Sequence, residues 1–211
     1  MAQPQVKFDE KAHRYTLGRL VLPSVTQVIP DALAGADPED VAAGGLRGKL
    51  VHELTAALDL GLADKLIEFD DPMLKPYFAA YLKFLIEKKP KIVAVEWRSF
   101  HPQYLFAGQL DRIYEFESGL ALTDLKTAAT IMPEAALQTA AYEKLAELAG
   151  YKIKKRFTLQ LRKDGKYKLH EWREKTDFGV FMSLLNYHRW KMSHRPKTPD
   201  NFDDMRGLNV Y

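Results

Sequence analysis

The order of periodicities along this chain predicts an α/β fold, a central sheet flanked by helices: helix, three antiparallel strands, helix, two strands, helix. Three observations carry the prediction. Apolar residues recur at helical spacing in 46–63, 72–88 and 133–149. Both arms of 108–126 alternate around Glu117-Ser118-Gly119, as an antiparallel hairpin does. A second pair of strands, 153–162 and 167–172, is joined by Lys163-Asp164-Gly165-Lys166, whose Asp-Gly step is a strong hairpin signal. With 211 residues, 46% of them hydrophobic, the chain can bury a sizeable core, and one compact domain over 1–211 is expected.

Taken in order, residues 6–28 read as a small hairpin turning near Leu17-Gly18, with Pro23-Ser24-Val25-Thr26 as an extended lead into a helix. The Ala-, Gly- and Asp-rich 31–45 reads as a loop, short helix or flap. In 46–63 the stripe is Leu46, Leu50, Leu54, Ala57, Leu58 and Leu62, and His52 falls beside it. Pro72 and Pro90 bracket the next helix. Strands follow over 92–100 and 105–116, then the arm ending at Lys126. Gly150 closes the helix 133–149, and Thr176 or Asp177 caps a last helix reaching 193. The tail 195–211, with Pro196 and Pro199, reads as irregular.

Composition narrows the chemistry. The absence of cysteine excludes disulfides, thiolate zinc and cysteine-ligated iron–sulfur clusters. No apolar run approaches a membrane span, and the N-terminus lacks the apolar stretch of a secretory signal, so a cytoplasmic protein is expected. The net charge of +3 alone does not argue for a polyanionic partner. Local clusters of lysine and arginine near 88–91, 152–156, 162–168 and 189–197 are compatible with solvated faces and with a groove that tracks phosphates.

A turn centred between Glu117 and Ser118 places Asp111 opposite Asp124, with Lys126 on the same face. Opposed like charges destabilise a sheet, so two carboxylates kept there need a neutralising partner, most simply a divalent metal. A loop centred at Gln103 and Tyr104 would add Glu96 to the row, opposite Asp111. Hard oxygen ligands of this kind suit magnesium or manganese. The reaction implied is phosphodiester hydrolysis, with Lys126 orienting or deprotonating water or offsetting phosphate charge. The alternative is an ordinary solvent-facing hairpin in which Asp124 and Lys126 form a salt pair.

Five segments then occur in a telling order: Arg47-Gly48-Lys49-Leu50-Val51-His52, Glu96, Gly108-Gln109-Leu110-Asp111, Asp124-Leu125-Lys126 and Gln138-Thr139-Ala140-Ala141-Tyr142. Their order resembles the RecB-like branch of the PD-(D/E)XK nuclease superfamily. The front segment, 6–29, is similar to the lead-in of phage exonucleases and mitochondrial genome maintenance exonucleases of that branch. The resemblance implies a restriction-endonuclease-like core with a central mixed sheet, occupying 46–193. It implies His52, Asp111 and Asp124 as metal ligands, the Leu125 carbonyl as a further one, and Lys126 as the catalytic lysine. Glu96 matches the acidic strand position and joins the catalytic set.

Gln138 and Tyr142 lie four apart on one helical face, where both can reach the scissile region or the bound strand; a Tyr ring packed into the core with Gln at its rim is the competing reading. Arg47 is placed to contact a phosphate or to fix the start of its helix. The expected activity is Mg²⁺- or Mn²⁺-dependent DNA hydrolysis, by an exonuclease acting on ends or single strands in recombination, repair or phage genome processing. A non-catalytic DNA-binding module and an endonuclease of restriction or junction-resolving type are the alternatives. DNA is the expected partner, with a homo-oligomer or a single-strand-binding or recombination protein as further ones, and no membrane.

Overall fold

A computed structural model describes residues 6–30, 38–62 and 71–194; the expected tail and the first part of the expected flap lie outside them. The front segment folds as a three-stranded antiparallel meander, β1 (Lys7–Asp9), β2 (Arg14–Leu17) and β3 (Leu20–Leu22). Its second turn is the one expected, with Gly18 at φ 61°. The first turn adds a strand the alternation did not separate, and the Asp9 carboxylate closes it by accepting the Ala12 N–H at 3.0 Å. Ser24 then caps α1 (Val25–Val28) in a reciprocal box with Gln27. Beside it, the Ala107 N–H donates to the Pro23 carbonyl at 3.0 Å, which pins the front segment onto the main sheet.

The helix α2 spans Pro38–Asp59 rather than starting at Leu46. Gly44 and Gly45 suggest a loop, since each costs about 1 kcal/mol relative to alanine in a helix. Propagation from the packed later turns, with a proline at the first position, outweighs that cost. The buried side is also narrower than the expected stripe: Val51, Leu54 and Ala57 are buried, whereas Leu46 and Leu62 are exposed. The next helix, α3 (Lys75–Lys88), begins after 72 because the Asp71 carboxylate and carbonyl hold a turn through Met73, Leu74 and Lys75.

The main sheet runs β4 (Lys91–His101), β5 (Phe106–Phe116), β6 (Gly119–Lys126), β7 (Ile153–Leu161) and β8 (Tyr167–Trp172), in that order. Only β6 and β7 are parallel, and α4 (Glu134–Leu148) makes the crossover between them. The sheet is therefore mixed. The last helix, α5 (Asp177–Ser193), packs with α1 and α4 on one face over Leu110, Ile113 and Leu122. On the other face α2 and α3 cover Tyr114, Leu125 and Leu159. This is an α/β fold, a five-stranded mixed sheet between helical layers. Among the described residues no helix is long and apolar enough to cross a membrane.

Candidate active site

The link between β5 and β6 is two residues long, because Phe116 pairs with Gly119. Pairing continues to Arg112 and Thr123, so the next rung sets Asp111 beside Asp124. On the other side of β5, the pairs Val95↔Arg112 and Trp97↔Leu110 flank the rung of Glu96 and Asp111. The three carboxylates thus come from one row across β4, β5 and β6.

That row is irregular. Glu96 has φ 46°, a left-handed conformation that side chains with a Cβ rarely adopt. On β5, Leu110 and Ile113 share one core cluster although three residues apart, while Tyr114 lies in the other. Side-chain alternation therefore slips by one around Asp111. Such local distortions re-aim side chains, and they concentrate at functional sites.

His52 reaches the row from α2. Its Nδ1 is 3.4 Å from Asp111 Oδ1 and 3.8 Å from Glu96 Oε1. Its Nε2 lies 3.0 Å from the Leu125 carbonyl, and the Leu125 N–H donates to Asp111 Oδ2 at 2.6 Å. Leu125 is thus held at both its N–H and its carbonyl, and the carbonyl expected as a ligand is engaged by His52. Burial disfavours a charged imidazole, but the Asp111 carboxylate and then Glu96 outweigh it and lift His52 to about 10. Burial pushes Asp111 up; His52, Lys126 and the Leu125 N–H together draw it down to about 2.

Lys126 Nζ donates to Asp124 Oδ1 at 3.1 Å. It also lies 2.9 Å from Oδ2, but not in hydrogen-bonding geometry, and that buried oxygen has no hydrogen-bond partner. Burial holds Asp124 above the usual carboxylate range against the pull of Lys126. Burial also disfavours the Lys126 ammonium, yet Asp124 and Asp111 keep its pKa raised. The ion pair with Asp124 accordingly favours the cationic form of Lys126.

These residues fit a divalent cation. Ligand atoms of His52, Glu96 and Asp111 lie within 4.8 Å of one another, and Asp124 is the next carboxylate in the row, ion-paired with Lys126. A set dominated by carboxylate oxygen, with one imidazole, suits magnesium or manganese. The tightest group includes Glu96, whereas the family resemblance put Asp124 in the set.

The group opens into a cleft of about 1050 Å³, walled by Phe8, His13 and Tyr15 of the small sheet and by Gln138 and Tyr142 of α4. The Gln138 amide donates to the Tyr142 hydroxyl at 3.2 Å. Tyr142 is both core and cleft wall, since its ring is buried against β5. A Cβ built on Gly108 would stand 2.6 Å from Tyr142 Cε1 and 3.1 Å from Val25 Cγ2. Gly108→Ala is therefore expected to cost ~1–3 kcal/mol by overpacking, read as a lower melting temperature. An unchanged melting temperature would mean that Tyr142 is free to move. Arg47 does not line the cleft; its guanidinium sits 5.5 Å over the Tyr77 ring, bracing α2 against α3.

Sequence reasoning missed the layer beneath. Arg112, fully buried, donates to Asp59 Oδ2 at 2.5 Å and to Glu96 Oε1 at 2.8 Å, and the Tyr81 hydroxyl donates to the same Asp59 oxygen. Gln109, itself bonded by Arg98, donates to the second Glu96 oxygen. A faint signal existed in the sequence: Arg112 sits in a strand beside the apolar Leu110, Ile113 and Tyr114.

Comparison with protein-family models and with curated proteins gives no match. Among solved structures, the fold is similar to the alkaline exonuclease LHK-Exo of Laribacter hongkongensis, at 13% identity and a TM-score of 0.43. That similarity covers 57% of this chain and 65% of LHK-Exo, so this chain spans just under two thirds of it. It is also similar to a candidate exonuclease of Eubacterium rectale, at 10% identity and a TM-score of 0.43, over 76% of this chain and 79% of that one. Both are partial likenesses of shape, and the functional reading rests on the site.

Proposed function

We propose that the protein is a metal-dependent deoxyribonuclease of the RecB-like PD-(D/E)XK type, acting from DNA ends or on single strands. The observation that carries this reading is one row of three carboxylates, Glu96, Asp111 and Asp124, joined at a cleft by His52 and the Lys126 ammonium. His52, Glu96 and Asp111 would hold a Mg²⁺ or Mn²⁺ ion, with Asp124, the adjacent carboxylate of the row, as a further ligand in reach of the same region. When bound, such an ion polarises the phosphoryl oxygen and makes water a better nucleophile. Lys126 places a fixed positive charge where a phosphate acquires negative charge, and it needs no reorganisation to do so. The Gln138 amide, at the cleft wall, can orient the attacking water or the strand.

The reading assigns the protein to DNA repair, recombination or phage genome processing. It is tested with end-labelled linear DNA and closed circular DNA, in Mg²⁺ or Mn²⁺ and again with chelator. The expected result is digestion of linear DNA, intact circles, and no cleavage once the metal is chelated. Cutting of circles would show an endonuclease. Normal DNA binding without hydrolysis of any form would show a non-catalytic module.

A further inference from the structure

We propose that Arg112 is the positioning residue that assembles the His52–Glu96–Asp111 group, an inference that rests on the metal-site reading above. Its guanidinium has no solvent exposure, and its donors reach Glu96 and the Asp111 backbone directly and His52 through Thr55. Nη1 donates to the Glu96 Oε1 carboxylate oxygen at 2.8 Å and to the backbone carbonyl of Asp111 at 2.6 Å. Nη2 donates to the Thr55 hydroxyl at 3.1 Å, and that hydroxyl donates to the His52 carbonyl at 3.1 Å. Nε donates to Asp59, which anchors the fork to the last turn of α2.

The strand distortion explains how a residue adjacent to Asp111 comes to lie under the site. Because alternation slips at Asp111, Arg112 points to the α2 side, toward the helix that carries His52. The left-handed backbone of Glu96 brings its carboxylate over the same guanidinium. Glu96 Oε1 is then shared: Arg112 holds it from below, and His52 Nδ1 faces it at 3.8 Å. A buried arginine is costly unless its donors are satisfied and its charge is matched; Asp59 and Glu96 supply the two anions. Only a planar fork serves α2, β4 and β5 together. A lysine ammonium would keep the charge and lose the simultaneous geometry.

Partners of metal ligands tune affinity by roughly 10–100-fold, and Arg112 is expected to act within that range. The test measures Mn²⁺ binding by calorimetry, alongside melting temperature, for wild type, Arg112→Lys, Thr55→Val and Tyr81→Phe. Arg112→Lys is expected to weaken Mn²⁺ about tenfold or more, with DNA cleavage largely recovered at saturating Mn²⁺. Thr55→Val, which removes only the bridge to His52, is expected to weaken Mn²⁺ several-fold in a folded protein, and it decides the matter if Arg112→Lys does not fold. Tyr81→Phe loosens the same buried network at Asp59 without touching Arg112, and is expected to lower the melting temperature while Mn²⁺ affinity stays at the wild-type value. The proposal is overturned if Arg112→Lys or Thr55→Val melts lower yet binds Mn²⁺ as wild type does, or if Tyr81→Phe loses as much affinity as they do. Wild type that binds no Mn²⁺ overturns both this proposal and the metal site. Wild type that binds Mn²⁺ and cleaves no DNA removes the nuclease reading alone.

Discussion

Lys126→Ala is expected to slow metal-dependent DNA cleavage roughly 10³-fold, within the range typical of removing a charge-stabilising or proton-transferring group. Two effects add in the same direction. The cleft loses the ammonium proposed to face the phosphate, and Asp124, 1% exposed, loses the cation that favours its ionised carboxyl. An uncharged Asp124 would present a weaker oxygen to a divalent ion. Initial rates on linear DNA at saturating Mn²⁺, compared with Lys126→Arg, separate charge from geometry. Arginine keeps the charge but carries it on a longer, planar group, so partial activity is the expected outcome. A Lys126→Ala rate equal to wild type would remove this residue from the chemistry.

Asp59→Ala is expected to give the largest loss of stability, ~3–5 kcal/mol, the usual cost of leaving a buried charge without its partner. Neither side chain of the Asp59–Arg112 pair touches solvent, and Asp59 also accepts the Tyr81 hydroxyl. Removing it strands the Nε proton of Arg112 and leaves the Tyr81 hydroxyl with Tyr114, at 2.7 Å, in place of two partners. At about 2–4 °C per kcal/mol for a domain of this size, the melting temperature should fall by roughly 10 °C. Asp59→Asn, which keeps the shape and one acceptor, should fall less. A melting temperature within a degree or two of wild type would mean that Glu96 alone balances Arg112.

Much of this arrangement is legible in the sequence, for definable reasons. Period-2 alternation and Glu117-Ser118-Gly119 are local signals, and they suffice to set Asp111 beside Asp124. The centre of the β4–β5 register could be placed from loop length. The distortion at that rung could not, because nothing local marks Glu96 as left-handed; tertiary bonds from Gln109 and Arg112 accompany that geometry. Simple alternation turns Arg112 away from Asp111, and so hides its link to the site. The early start of α2 escaped for a different reason: glycine pairs signal loops locally, whereas packing of Val51 and Leu54 propagates the helix from a distance. Arg47 is a motif position whose guanidinium lies over the Tyr77 ring, a contact between α2 and α3 that no local pattern announces.

The two-residue link between Phe116 and Gly119 lies five positions from the aspartate rung, roughly 17 Å along the strands. A spacer that short admits one phase between the two arms. Lengthening or shortening it by a single residue would rotate the downstream arm by one face, carrying Asp124 and Lys126 out of the cleft while leaving every side chain chemically intact. The length of an unremarkable surface loop therefore acts as a ruler for the candidate site, as binding a constraint as the identity of the aspartates it aligns.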